Sequence, residues 1–123
     1  LAEGYEIPLP IASLFGHANV VNTDPPLRVR HFGAFEDGRI IATSMSYLDG
    51  TLGGIYCVAV RPEARRRGLG RALTCLAIAE IQRGGYPTAI LQSSAMGEPV
   101  YRSLGFVQCG QITLYVHLPS PTA

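Results

Sequence analysis

Arg61, Arg65, Arg66, Arg67 and Arg71 place five of the chain's ten basic residues inside eleven positions of the stretch VRPEARRRGLGRAL, residues 60 to 73. Gly68 and Gly70 stand among them and lead into an apolar run. Guanidinium groups favour anions, and glycine lets a main chain approach a phosphate because no Cβ holds it off. Where such a stretch joins a strand to a helix, the free N–H groups of the first helical turn and the helix dipole add to the attraction. The implied chemistry is the binding of an anion. Net charge is only +1, so the cluster is a local feature on a nearly neutral chain. That argues against a broad nucleic-acid surface and for one confined anionic ligand.

The elements that must hold this loop are legible on both sides of it. From residue 27 onward, LRVRHFGAF and RIIATSMSYL are β-rich runs separated by EDG, and Asp37-Gly38 is a strong hairpin signal. A second Asp-Gly, at 49 and 50, leads into GGIYCVAV, so three consecutive strands in an antiparallel meander are expected. After Val60 the period switches. Leu69 to Ile81 are good helix formers, apolar around most of the circumference, which predicts a buried helix stopped by RGG at 83 to 85. TAILQ, 88 to 92, reads as a strand lying parallel to the third, which makes a βαβ crossover. GEPVYRSLGF reads as a second helix closed by Gly105, and VQCGQITLYVHL as a final strand. The fold class is α/β with a mixed, mostly antiparallel sheet. Residues 1–26, with Pro8, Pro10, Pro25 and Pro26 around IASLF, read as a connecting segment or the remnant of preceding elements. The chain begins at Leu1 and has only Met45 and Met96, so a processed product, a domain or a fragment is expected, with further sequence ahead of it.

Composition closes several classes of function. A chain of 123 residues, 47% hydrophobic and 15% charged, fits one ordinary compact domain. No apolar run approaches the roughly 20 residues a membrane helix needs, so no membrane partner is expected. Cys57, Cys75 and Cys109 form no CxxC pair and follow no signal peptide, which fits reduced, buried thiols in a cytoplasmic protein. Lysine is absent, which removes a Walker-type loop, a pyridoxal Schiff base and a Ser-x-x-Lys nucleophile. His17, His31 and His117 lack metal-ligand spacing, so no metal is expected. GLGRAL has two glycines of a dinucleotide fingerprint, but Leu73 stands where the third belongs. The arginines lack interleaved aromatics, which ranks nucleic acid low. Ser93 and Ser94 sit in no G-x-S-x-G elbow.

The pattern V-x-P-x-x-R-x-x-G-x-G, at Val60, Pro62, Arg65, Gly68 and Gly70, resembles the acetyl-coenzyme A signature of the GNAT family of N-acetyltransferases. After the crossover strand, SSAMGEPVYRSLGF is similar to the family's second motif, ending at Tyr101, Gly105 and Phe106. Two motifs in the right order on the right elements make the resemblance specific, and it covers residues 27–118, followed by a tail over 119–123. The resemblance implies a backbone bulge at Val58, Ala59 and Val60 for the pantetheine arm of acetyl-CoA. It places the pyrophosphate on the main chain of Arg66, Arg67, Gly68, Leu69, Gly70 and Arg71, with Arg65 as the motif's arginine. Ser94 falls where many relatives carry a cofactor-contacting asparagine, and Tyr101 where a phenol protonates the departing thiolate. The usual opening strand and two helices are not recognisable in 1–26. The implied activity is direct acetyl transfer from acetyl-CoA to a primary amine of a small molecule or peptide. A non-catalytic acyl-CoA-binding module, or half of a larger two-part transferase, is the alternative. Glu36, Asp49 and Tyr56 are weak candidates for the general base, and a homodimer or an additional N-terminal domain stays open.

Overall fold

The computed structural model describes residues 28–119. The connecting segment expected over 1–26, and the tail past Pro119, lie outside the described residues. The meander forms as the Asp-Gly signals predict: β1 is Val29–Glu36, β2 Arg39–Asp49 and β3 Leu52–Val60. Asp37 and Gly38 take φ of 52° and 72°, the two positive values a type I′ hairpin turn requires. A 3-10 turn, Pro62–Ala64, leads to α1, Leu69–Arg83; β4, Thr88–Leu91, and α2, Glu98–Ser103, follow. The sheet order is β1-β2-β3-β4, antiparallel at the first two pairings and parallel at the third. This is an α/β fold with a mixed, mostly antiparallel sheet and a βαβ crossover.

α1 lies across β1, β2 and β3. Ile55 of β3 meets Ala77 and Ile81 of α1 in the buried centre, with Phe32, Leu48, Val58, Ile78 and Tyr86 packed around them. Burying an isoleucine is worth about 1.5–3 kcal/mol, so these few contacts fix the helix on the sheet. Beneath α1 the strand β2 carries the small buried Ser44, whose hydroxyl donates to the Leu73 carbonyl at 3.0 Å.

Both helices stop in the same way. In α1 the Tyr86 amide donates to the Ile81 carbonyl and the Gly85 amide to Gln82, with Gly85 at φ 85°. In α2 the Phe106 amide donates to Tyr101 and the Gly105 amide to Arg102, with Gly105 at φ 94°. These are Schellman caps, in which a left-handed glycine closes the helix and the following residue packs back onto it.

Three expectations need correction. α1 buries one stripe, Leu73, Thr74, Ala77 and Ile81, while Leu76 stays 49% exposed. A helix on one face of a four-stranded sheet has only that face to bury. The cysteines are not buried filler: Cys57 is half-buried, and Cys75 and Cys109 are exposed. Cys75 follows Thr74 and so points off the buried stripe. The final strand does not form, and residues 106–119 run without secondary structure, with Ile112, Leu114 and Tyr115 at 71%, 80% and 89% exposure. A strand needs an edge to pair with, and beside it β4 offers only the four residues Thr88–Leu91.

Candidate active site

β3 and β4 pair only from Leu52↔Thr88 to Ile55↔Leu91. β3 then runs on to Val60 while β4 has ended, so the two strands part and the cleft-side edge of Tyr56–Val60 has no strand beside it among the described residues. At the parting point β3 carries a bulge: Cys57 and Val58 together oppose the single Ser44 between the pairs Met45↔Tyr56 and Thr43↔Ala59. Cys57 sits at φ 56°, a conformation that costs a non-glycine residue on the order of 1 kcal/mol or more and persists only where the surroundings impose it. Here the Thr43 hydroxyl donates to the Cys57 carbonyl at 2.8 Å, tying the bulge to β2. The bulge thus begins one residue before the expected Val58–Val60, and Ala59 and Val60 lie in the resumed register beyond it. Cysteine has no preference for the left-handed region, so nothing in the sequence marks Cys57.

Beyond Val60 the chain folds into a candidate anion cradle. Arg66 and Gly68 both lie in the left-handed region, at φ 64° and 78°. At Gly68 a left-handed residue is followed by the right-handed Leu69 of α1, a pairing that turns successive amides toward a common point, as in backbone nests. Gly68 is the N-cap of α1 and supplies no side-chain cap. The first helical bond runs from the Ala72 amide to the Gly68 carbonyl at 3.0 Å, so the amides of Leu69, Gly70 and Arg71 precede the ladder. Nothing lies within 4 Å of where a Cβ on Gly68 would go, and one on Gly70 would only touch Val60, at 3.6 Å. The donors and the open space fit a pyrophosphate.

The arginine side chains are engaged with the protein. Arg61 Nε donates to the Ile40 carbonyl at 2.8 Å and Arg65 Nε to the Val60 carbonyl at 3.3 Å. Arg67 pairs with Glu36 at 2.6 Å, and Arg71 donates to the Ser103 hydroxyl at 2.6 Å. Arg66 is exposed. Four of the five therefore tie the loop to β2, β1, α2 and the end of β3.

Tyr101 stands on α2. The Schellman cap binds its carbonyl to the Phe106 amide at 3.1 Å, and the two rings meet edge to face with centroids 6.1 Å apart. The spacing Tyr-x-x-x-Gly-Phe is thus a helix stop that also clamps the tyrosine ring. Burial pushes the phenol above its ordinary value of 10.0, and the nearby Thr74 hydroxyl acts the other way. Thr74 donates to the Gly70 carbonyl at 2.7 Å. The Arg71–Ser103 bond is what ties the helix of Tyr101 to the first turn of α1.

Ser94 stands apart from that chain of contacts. Its hydroxyl accepts from the Gly97 amide at 3.2 Å and closes the turn ahead of α2. Among the candidate bases, Glu36 is committed to Arg67, and Asp49 lies at the far end of β3, beside Leu52. Half-buried Tyr56 adjoins the bulge. Sequence reasoning missed the Thr43 bond to the bulge and the left-handed Cys57, neither of which belongs to a motif.

The Acetyltransferase (GNAT) domain profile matches residues 28–108. A mycothiol acetyltransferase of Streptomyces coelicolor is 35% identical over 81 residues, covering 62% of this chain and 26% of the relative. The chain thus spans about a quarter of the length of the curated relative it matches. A GCN5-related N-acetyltransferase from Ralstonia eutropha superposes with a TM-score of 0.65 at 25% identity, over 72% of this chain and 65% of the other. An acetyltransferase from Clostridium acetobutylicum, solved with acetyl-CoA, gives 0.64 at 22%, over 88% and 73%, and shares the fold. The mixed sheet and its βαβ crossover define an α/β domain. The chain belongs to the GNAT acetyltransferase family. Among the described residues no helix is long and apolar enough to cross a membrane.

Proposed function

We propose that residues 27–118 form an acetyl-CoA-binding catalytic domain that transfers the acetyl group to a primary amine by direct attack in a ternary complex. What supports this reading is the unpaired end of β3 after the Cys57 bulge, followed by the amides of residues 66–71, with Tyr101 on the helix that Arg71 ties to that turn through Ser103. In this reading the main chain of Val58, Ala59 and Val60 holds the pantetheine arm. The amides from Arg66 to Arg71 hold the pyrophosphate, with Arg65 bracing the loop and Ser94 at the rim. Acetyl-CoA, when bound, supplies the acetyl group as an activated thioester.

Tyr101 gives its hydroxyl proton to the departing sulfur as the amine nitrogen bonds to the acetyl carbon; the nitrogen's surplus proton leaves to water. An amine of pKa about 10.4 must first lose a proton, which costs roughly 4–5 kcal/mol at pH 7. The group that takes that proton is left unassigned among Glu36, Asp49 and a relay through Tyr56. The name of the curated relatives makes an amine acceptor from mycothiol chemistry the first to try.

Acetyl-CoA is added to the chain in a thermal melt, and amine acetylation is followed by mass spectrometry. A melt raised by acetyl-CoA together with an acetylated amine supports the proposal; no shift at saturation refutes it. The short span relative to the curated relatives favours a second reading, an acyl-CoA-binding half of a larger transferase. A shift with no acetylated amine, even when the chain is joined to its flanking sequence, selects a module without activity of its own.

A further inference from the structure

Gly53 and Gly54 stand side by side in β3, where glycine weakens a strand and marks a close approach. Each is required by one face of the sheet. A Cβ on Gly53 would run into the Ile81 side chain of α1. One on Gly54, which projects to the other face, would overlap the Tyr56 ring, 2.9 Å from Cζ and 2.8 Å from the hydroxyl oxygen. The ring therefore lies back along β3 over Gly54, on the face turned away from α1. Register sets what flanks this notch: Gly54 is opposite Tyr47 on β2 and beside Ile90 on β4, and Tyr56 is opposite Met45. Tyr56 is also the first residue past the last β3–β4 pair, Ile55↔Leu91, and the last before the left-handed Cys57.

The geometry points to Tyr56, seated in the notch at Gly54, as the residue that sets which amines reach the thioester. This rests on the reading that the acetyl-CoA arm lies along the unpaired end of β3. The α1 side of that stretch is filled, because Ile55 and Val58 pack with Ala77 and Ile81. An amine comes to the thioester carbonyl from the opposite face, where Tyr56 is the side chain of β3 next to the bulge. With its ring laid over Gly54, the tyrosine leans away from Cys57 and leaves that approach clear. A Cβ at residue 54 would lift the ring out of the notch and narrow the space beside the bulge. The substituents on the carbon that carries the amine are the acceptor atoms nearest the carbonyl, so they are what a displaced ring excludes. The site therefore takes primary amines branched at that carbon, and it loses them first when the notch is filled.

The test measures kcat/KM for glycinamide and for alaninamide, which differ by one methyl group on the carbon bearing the amine. It compares wild type with Gly54→Ala, Tyr56→Ala, Tyr56→Phe and the double variant Gly54→Ala/Tyr56→Ala. Circular dichroism and the melt shift with acetyl-CoA check folding and cofactor binding. One methylene in a close-fitting pocket is worth roughly ten- to two-hundredfold in kcat/KM. Gly54→Ala is expected to lower the alaninamide-to-glycinamide ratio by about tenfold or more, with acetyl-CoA affinity within about twofold of wild type. In the Tyr56→Ala background there is no ring to displace, and Gly54→Ala is expected to leave the ratio unchanged. Tyr56→Phe keeps the ring and is expected to keep the wild-type ratio, which separates the ring's shape from a proton relay through its hydroxyl. Tyr56→Ala is expected to raise the ratio above that of Tyr56→Phe, a comparison that stands even if Gly54→Ala fails to fold. If the wild type acetylates no primary amine, even when joined to its flanking sequence, the transfer reading fails and this inference with it. If the wild type acetylates other primary amines but not alaninamide, or if the ratio is the same in every folded variant, the inference about Tyr56 alone is overturned.

Discussion

Gly68 and Gly38 provide a matched pair for locating the anion cradle. Both are left-handed, at φ 78° and 72°, and at neither does anything lie within 4 Å of where a Cβ would go. Alanine at either site therefore meets the same backbone strain and no clash, a loss of about 1 kcal/mol. For a domain of this size that lowers Tm by roughly 3–6 °C. The difference is in what the new methyl faces. At Gly38 it projects from a hairpin turn; at Gly68 it projects into the space the cradle leaves for a pyrophosphate. Gly68→Ala is expected to weaken acetyl-CoA binding about tenfold. At a concentration of about 100 times the wild-type Kd, the ligand's stabilisation then falls from about 2.7 to about 1.4 kcal/mol, so its Tm shift is roughly halved. Gly38→Ala keeps the full ligand shift. The assay is a set of thermal melts of wild type and both variants, with and without acetyl-CoA. An unchanged ligand shift in Gly68→Ala, or an equal loss in both variants, refutes the placement of the anion at residues 66–71.

Thr43→Val removes the hydroxyl that holds the Cys57 carbonyl and is expected to cost about 1 kcal/mol in urea unfolding and to raise KM for acetyl-CoA with kcat nearly unchanged. Glu36→Gln breaks an ion pair with Arg67 that is about half exposed, at 49% and 51%. It is expected to shift stability by less than about 1 kcal/mol and to leave turnover intact, whereas a collapse of kcat would make Glu36 the base. The Tyr101 phenol is raised by burial, so the folded state holds that proton more tightly than the unfolded chain does. Its contribution is whole below an ordinary tyrosine pKa of about 10 and is lost as pH rises through the higher folded value, so alkaline unfolding should be less steep with pH in Tyr101→Phe.

Local chemistry was readable wherever neighbours in sequence decide it. The Asp37-Gly38 turn, the change of period after Val60 and the glycine that closes each helix all appear where the residues imply them. The loop's glycines and the Tyr-x-x-x-Gly-Phe spacing were readable for the same reason, since an N-cap and a Schellman cap are local structures. What escaped depends on distant partners. Arg67 meets Glu36 and Arg71 meets Ser103 across more than thirty residues, so the arginines' part in bracing the loop had no local sign. Cys57 owes its left-handed backbone to the mismatch between β2 and β3, which no property of cysteine encodes. The run after Phe106 has the pattern of a strand, but pattern alone does not supply an edge long enough to pair with.

The most direct test of the account is Tyr101→Phe, which keeps the ring against Phe106 and removes only the hydroxyl. Acetyl-CoA affinity is measured by calorimetry on the same preparation used to follow single-turnover acetylation of an accepted amine. The account predicts a dissociation constant within about twofold of wild type and a chemical step slower by on the order of 10² to 10⁴, the usual span for general acid catalysis. A chemical step at the wild-type rate, with acetyl-CoA still bound, would contradict it.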